Sequence, residues 1–114
     1  EAPTPLAAYV PALRNGNLIF TAGQVPISDG KLLYKGKLGS DVSVEDGIKA
    51  AEICALNCLS VIKKEAGTLE SIKQIVKVTV FVNSSEGFTD QPKVANGASE
   101  LLVKLFGENG KHVR

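Results

Sequence analysis

Polar and apolar positions change their period several times along this chain, and each change marks an element. Asn17-Leu18-Ile19-Phe20-Thr21 is a strand-like run, and Asn15-Gly16 ahead of it predicts a hairpin over Tyr9–Thr21 with a type I′ turn. Gly23 and Pro26 follow, and Ser28-Asp29-Gly30 predicts a second turn before a short strand at Leu32-Leu33-Tyr34. Gly36 and Gly39 then predict a loose bend or loop.

The period next lengthens to that of a helix. Ser43, with Asp46 three residues on, predicts a capping box, and Glu45 adds acid at the positive end of the helix dipole. Ile48, Ala51, Ala55, Cys58, Leu59 and Ile62 form one apolar stripe, opposite Lys49, Glu52, Ser60 and Lys63. Lys63, Lys64 and Gly67 predict an end near Ala66. Leu56 interrupts the polar face, either as an exposed leucine or as a contact with another subunit.

From Ile72 to Val82 the β-branched content and the alternation of Val76, Val78, Val80 and Val82 predict the central strand. Asn83–Gly87 reads as a loop. Thr89 or Asp90 then caps a second helix, with Pro92 in its first turn, a stripe of Val94, Ala98, Leu101, Leu102 and Leu105, and Gly107 at its end. Gly97 inside that helix costs about 1 kcal/mol against alanine, so its use predicts close packing. A further extended segment begins at Gly110-Lys111-His112-Val113-Arg114 and reads as unfinished where the sequence stops.

This order predicts an α+β fold of one domain, residues 1–114, with two helices on one face of a mixed sheet. The central strand is apolar at both parities, and two helices do not easily shield both of its faces, so self-association is the economical solution.

Composition narrows the function. Of 114 residues 44% are apolar and 22% charged, with a net charge of +1, which leaves neither a polyanion-binding surface nor a disordered chain. Six aromatic residues (two Tyr, four Phe) and no basic stripe argue against nucleic acid, RNA cleavage included. No apolar run approaches the ~18 residues of a membrane span and no signal peptide is visible, so the expected compartment is the cytoplasm, with no membrane partner. Cys54 and Cys58, four apart on a helix, suit neither a disulfide nor a metal site and read as packing residues of a reducing compartment. His112 reads as a surface imidazole, since no Ser or Cys nucleophile is placed beside it by motif. Arg114, a fixed planar charge on the last extended segment, is the strongest candidate for holding a small carboxylate.

Tyr9, the run Asn17–Pro26, Val78-Thr79-Val80-Phe81-Val82, Val94-Ala95-Asn96 and Arg114 together resemble the YjgF/RidA family, within the endoribonuclease L-PSP-like superfamily. The likeness covers about Pro5 to Arg114, and Phe88–Glu100 is similar to a divergent branch. The resemblance implies a chorismate-mutase-like fold, a homotrimer with pockets at its subunit junctions, and no cofactor. It implies hydrolysis of 2-imino or enamine acids to 2-keto acids and ammonia, as by a 2-iminobutanoate/2-iminopropanoate deaminase. Carried over by position, Arg114 and Tyr9 become the catalytic residues, and Arg114, Tyr9, Gly23 and Asn96 the substrate-binding ones. Two departures matter: Ala22 stands where the family often has serine, and the C-terminal strands with a water-positioning glutamate are apparently absent from this chain. The alternative is a non-catalytic trimer that binds small carboxylates.

Overall fold

Ser43 begins the structure's longest element as the sequence requires: its Oγ accepts the Asp46 backbone N–H at 3.2 Å, and helix α1 runs Val44–Ala66. Gly67, at φ 86°, closes it with an N–H bond to the Lys63 carbonyl. The computed structural model describes Ala2 and residues 7–114. Pro5, where the family likeness starts, lies outside the described residues.

Strands β1 (Ala12–Asn15) and β2 (Leu18–Thr21) form the expected hairpin, pairing Leu13 with Phe20 and Asn15 with Leu18. Tyr9 precedes β1 rather than belonging to it. The turn also differs from expectation. Its central pair is Gly16-Asn17, and only Gly16 has positive φ, as a type II′ turn wants, whereas type I′ needs both. The second hairpin, β3 (Ile27–Ser28) with β4 (Lys31–Leu32), turns through Asp29 at φ 53° and Gly30 at φ 76°. The short strand therefore begins earlier than Leu32–Tyr34.

Helix α2 spans Gln91–Phe106, with Asp90 at its N-cap position but no side-chain cap bond. Gly97 packs where α2 crosses α1, since a β-carbon there would run into the Ile48 carbonyl oxygen. The core joins Ala51 and Ala55 of α1 to Val94 and Ala98 of α2, and to Leu38 and Val42 from the loop between them and the hairpins. That loop is taut rather than loose. Leu38 N–H bonds to the Asn83 carbonyl and Ser85 N–H to the Leu38 carbonyl, while a β-carbon at Gly36 would strike Asp41.

Three corrections concern packing. Leu105 is exposed, while Ala95 and Gly97 are buried in its place, because α2 is covered mainly by α1 and the closing turn α3, the 3-10 helix Gly107–Gly110. On α1 the most deeply buried side chain is Val61, one position before the expected Ile62. The run Ile72–Val82 forms no strand among the described residues; it carries one bridge there, the parallel Lys77–Val113 pair, instead of a continuous ladder. Val78 N–H bonds to the Val113 carbonyl and Val113 N–H to the Val76 carbonyl, so the last extended segment does lie beside it. Val82 in this run packs against the core, whereas Phe81 on the opposite parity is 93% exposed and has no cover among the described residues.

Candidate functional site

The site forms where the last extended segment crosses the N-terminal half of α2. Gly110 allows the crossing: it is buried, and a β-carbon there would strike the Leu102 carbonyl. Beyond it the Val113 backbone bonds to Val76 and Val78, and period-two alternation sends His112 and Arg114 to one side, towards α2. On that helix Pro92, Asn96 and Ser99 follow one another at four- and three-residue spacing and share a face.

Arg114 is fixed by this face. Its Nη1 donates to the Asn96 Oδ1 at 2.9 Å and to the Ser99 Oγ at 3.1 Å, and its Nη2 donates to the Pro92 carbonyl at 3.3 Å. All three acceptors are neutral, and no carboxylate among the described residues pairs with the guanidinium. Five N–H bonds are available to an arginine, so Nε–H and one Nη2–H are left for another partner. Beside the guanidinium is a cavity of about 280 Å³ lined by Thr79, Val80, Val82, Gln91, Pro92, Ala95 and Arg114. Arg114 is the only ionisable group in that lining. A small apolar hollow with a single unneutralised planar cation suits a small organic anion.

Of the sequence-derived residues, the structure brings Asn96 to Arg114 and leaves Tyr9 and Gly23 elsewhere. Tyr9 is 54% exposed ahead of β1, Gly23 follows β2 with open space around its α-carbon, and neither lines the cavity. Ser99 carries no motif of its own in the sequence, and its one signal there is the three-residue step from Asn96. His112 is not a free surface imidazole. It is half-buried, with Nε2 2.9 Å from the Ser99 Oγ and Nδ1 2.6 Å from the Gly110 carbonyl.

The cysteines lie under the hairpin, away from this cavity. Burial, and then the neighbouring Cys58, push the Cys54 thiol up to about 11. Burial also raises Cys58, which accepts a hydrogen bond from the Thr21 hydroxyl at 3.9 Å. Neither is a ready nucleophile. Among the described residues no three His, Cys, Asp or Glu side chains gather as a metal site, and no helix is long and apolar enough to cross a membrane.

Fold and site together describe an α+β protein with an arginine beside a small, largely apolar cavity. Residues 1–114 match the family described as "YjgF/chorismate mutase-like, putative endoribonuclease", and the chain belongs to that family. It is 41% identical over 114 residues to Protein TCP17 of Trypanosoma cruzi, covering 99% of this chain and 71% of the relative. It is 30% identical over 109 residues to a RutC family protein of Pyrococcus abyssi, covering 96% and 72% respectively. The crystal structure of Atu1372 from Agrobacterium tumefaciens, a protein of unknown function, superposes with a TM-score of 0.92 at 40% identity, over 97% of this chain and 71% of that one. A structure from Shewanella oneidensis MR-1, described like the family, superposes at 0.91 with 38% identity, over 100% and 76%. The fold is thus the chorismate-mutase-like one.

Proposed function

We propose that the protein hydrolyses 2-imino and enamine acids to 2-keto acids and ammonia, and that it does so as a homotrimer. The carrying observation is the Arg114 guanidinium, held by three neutral acceptors beside a cavity of about 280 Å³ with no carboxylate partner among the described residues. A 2-imino acid supplies the missing counter-charge and a planar C=N group of matching size.

In this reading Arg114 takes the substrate carboxylate on its Nε/Nη2 edge, each charge-assisted bond contributing about 1.5–3 kcal/mol. The iminium carbon then faces the small lining side chains. Water adds its oxygen to that carbon, its protons pass to the nitrogen, the C–N bond breaks as C=O forms, and ammonium leaves. Positioning is the catalytic contribution, and no covalent enzyme intermediate is needed.

Tyr9 and Gly23 enter this scheme from a neighbouring copy. The hairpin supports that arrangement by its two unlike faces. Ala12 is buried, and Thr21, paired with it, reaches Cys58 of α1, whereas Leu13 and Phe20 on the other face are 62% and 59% exposed. Such a face, with Phe81 uncovered nearby in sequence to the site, is what an inter-subunit sheet contact would bury.

The test is to generate 2-iminopropanoate in situ with an amino-acid oxidase and follow keto-acid release. Acceleration by the protein is expected, and equal rates with and without it would overturn the reading. Ala22, in place of the family's frequent serine, favours a second reading in which the trimer binds small carboxylates without turnover. Calorimetric binding of 2-ketobutyrate with no acceleration would select it.

A further inference from the structure

Arg114, Ser99 and His112 form a chain of hydrogen bonds whose direction is determined by its far end. The Gly110 carbonyl can only accept, so His112 Nδ1, 2.6 Å away, carries the proton. In a neutral imidazole Nε2 is then a lone-pair acceptor, and the Ser99 hydroxyl, 2.9 Å away, must donate to it. That leaves the Ser99 oxygen with its lone pairs facing the Arg114 Nη1, which donates to it at 3.1 Å. The opposite tautomer could still donate Nε2–H to the Ser99 oxygen, but it would face the Gly110 carbonyl with the bare Nδ1 lone pair at 2.6 Å, which is the contact that rules it out.

We infer that Ser99 and His112 are positioning residues that orient the Arg114 guanidinium towards the cavity through the relay Arg114 Nη1–H to Ser99 Oγ–H to His112 Nε2, with the ring set by the Gly110 carbonyl. Neither touches the cavity, whose lining contains Arg114 but not Ser99 or His112. The relay does what a single acceptor could not. Asn96 and the Pro92 carbonyl hold Nη1 and Nη2, and Ser99 takes the second Nη1–H, so rotation of the guanidinium about Nε–Cζ would break three bonds together. An arginine with its plane fixed loses less freedom when a carboxylate binds, which is the way preorganisation raises affinity. The consequence for carboxylate affinity rests on reading Arg114 as the carboxylate grip, whereas the relay itself does not.

The first test needs no ligand. His112 is the only histidine, so in the ¹⁵N-labelled chain, prepared without a histidine tag, long-range ¹⁵N–¹H correlations report its tautomer unambiguously. Protonation at Nδ1 with a bare Nε2 is expected, and the Nε2–H tautomer overturns the relay. Arg14 and Arg114 are the only arginines, so their guanidinium signals are readily separated with an Arg14→Lys variant. Slow Nε–Cζ rotation at Arg114 is expected in the wild type, with fast averaging in Ser99→Ala. Equal rotation in both overturns the positioning role.

The second test is calorimetry with 2-ketobutyrate. Ser99→Ala and His112→Phe should each weaken binding roughly tenfold, the scale of one charge-assisted hydrogen bond. His112→Gln, whose amide oxygen can replace the Nε2 acceptor, should recover most of the affinity. Unchanged affinity in Ser99→Ala and His112→Phe contradicts the inference, as does failure of His112→Gln to exceed His112→Phe. If the wild type itself does not bind 2-ketobutyrate, the carboxylate reading of Arg114 fails, while the tautomer and rotation measurements still decide the relay.

Discussion

Arg114 and Asn96 stand 18 positions apart in the sequence, yet the Arg114 Nη1 donates to the Asn96 Oδ1 at 2.9 Å. The contact joins the last extended segment to α2 and sets the cation beside the cavity. Its acceptors sit on one helical face and require a forked donor. Arg114→Lys keeps the charge but cannot reach Asn96, Ser99 and Pro92 at once. It should therefore behave nearly as poorly as Arg114→Ala, with 2-ketobutyrate affinity down by roughly tenfold or more in calorimetry. Wild-type affinity in the lysine variant would show that charge alone suffices.

Gly97 offers a test in which helix propensity and packing have opposite signs. Propensity alone says Gly97→Ala should stabilise α2 by about 1 kcal/mol. The Ile48 carbonyl stands where the new methyl would go, and backbone of a packed helix does not yield cheaply. Overpacking costs ~1–3 kcal/mol, so with the propensity gain set against it a net destabilisation of about 1 kcal/mol is expected. Urea unfolding at one fixed protein concentration measures it, and a stabilised variant would contradict the packing at this crossing.

The half-buried thiols give stability a pH dependence. With the Cys54 thiol raised from 9.0 to about 11, the native and unfolded states bind the same proton below pH 9, so stability is unaffected there. Between 9 and about 11 the unfolded chain releases that proton first, and stability falls as pH rises. Urea midpoints should decline across this window, and less steeply in Cys54→Ala. Iodoacetamide should also alkylate the folded protein far more slowly than the urea-unfolded one near neutral pH, because the thiolate is scarce. Rapid labelling of the folded chain would contradict the burial.

Phe20 and Leu13 face one another across the hairpin and point away from α1. Phe20→Asp should leave the far-UV circular dichroism unchanged while splitting the assembly. Sedimentation velocity is expected to find three copies of the 12.0 kDa chain, about 36 kDa, for the wild type and one copy for the variant. A wild type that sediments as a monomer would remove the inter-subunit arrangement.

The local features of this fold were legible because their causes are local. Ser43 and Gly67 bracket α1 through bonds spanning a single turn, and Gly97 announced a helix crossing through its propensity cost. What depends on distant partners was less legible. The alternation of Val76 to Val82 signals an extended backbone, but whether a ladder forms depends on which segments lie beside it, and only Val113 does among the described residues. Gly36 and Gly39 signal a loose bend, and nothing local shows that backbone bonds to Asn83 and Ser85 draw Leu38 and Val42 into the core. In the site, Arg114 and Asn96 were reachable through the family likeness. Ser99 and His112 were not, since their roles arise only when alternation along 112–114 meets helical spacing along 92–99.

The most direct measurement compares wild type and Arg114→Ala in the release of pyruvate from oxidase-generated 2-iminopropanoate, at equal and known enzyme concentration. A guanidinium that grips the imino-acid carboxylate requires acceleration by the wild type and its loss, to near the protein-free rate, in the variant. Acceleration of the same size by both proteins would contradict the assignment of Arg114 as the residue on which the chemistry depends.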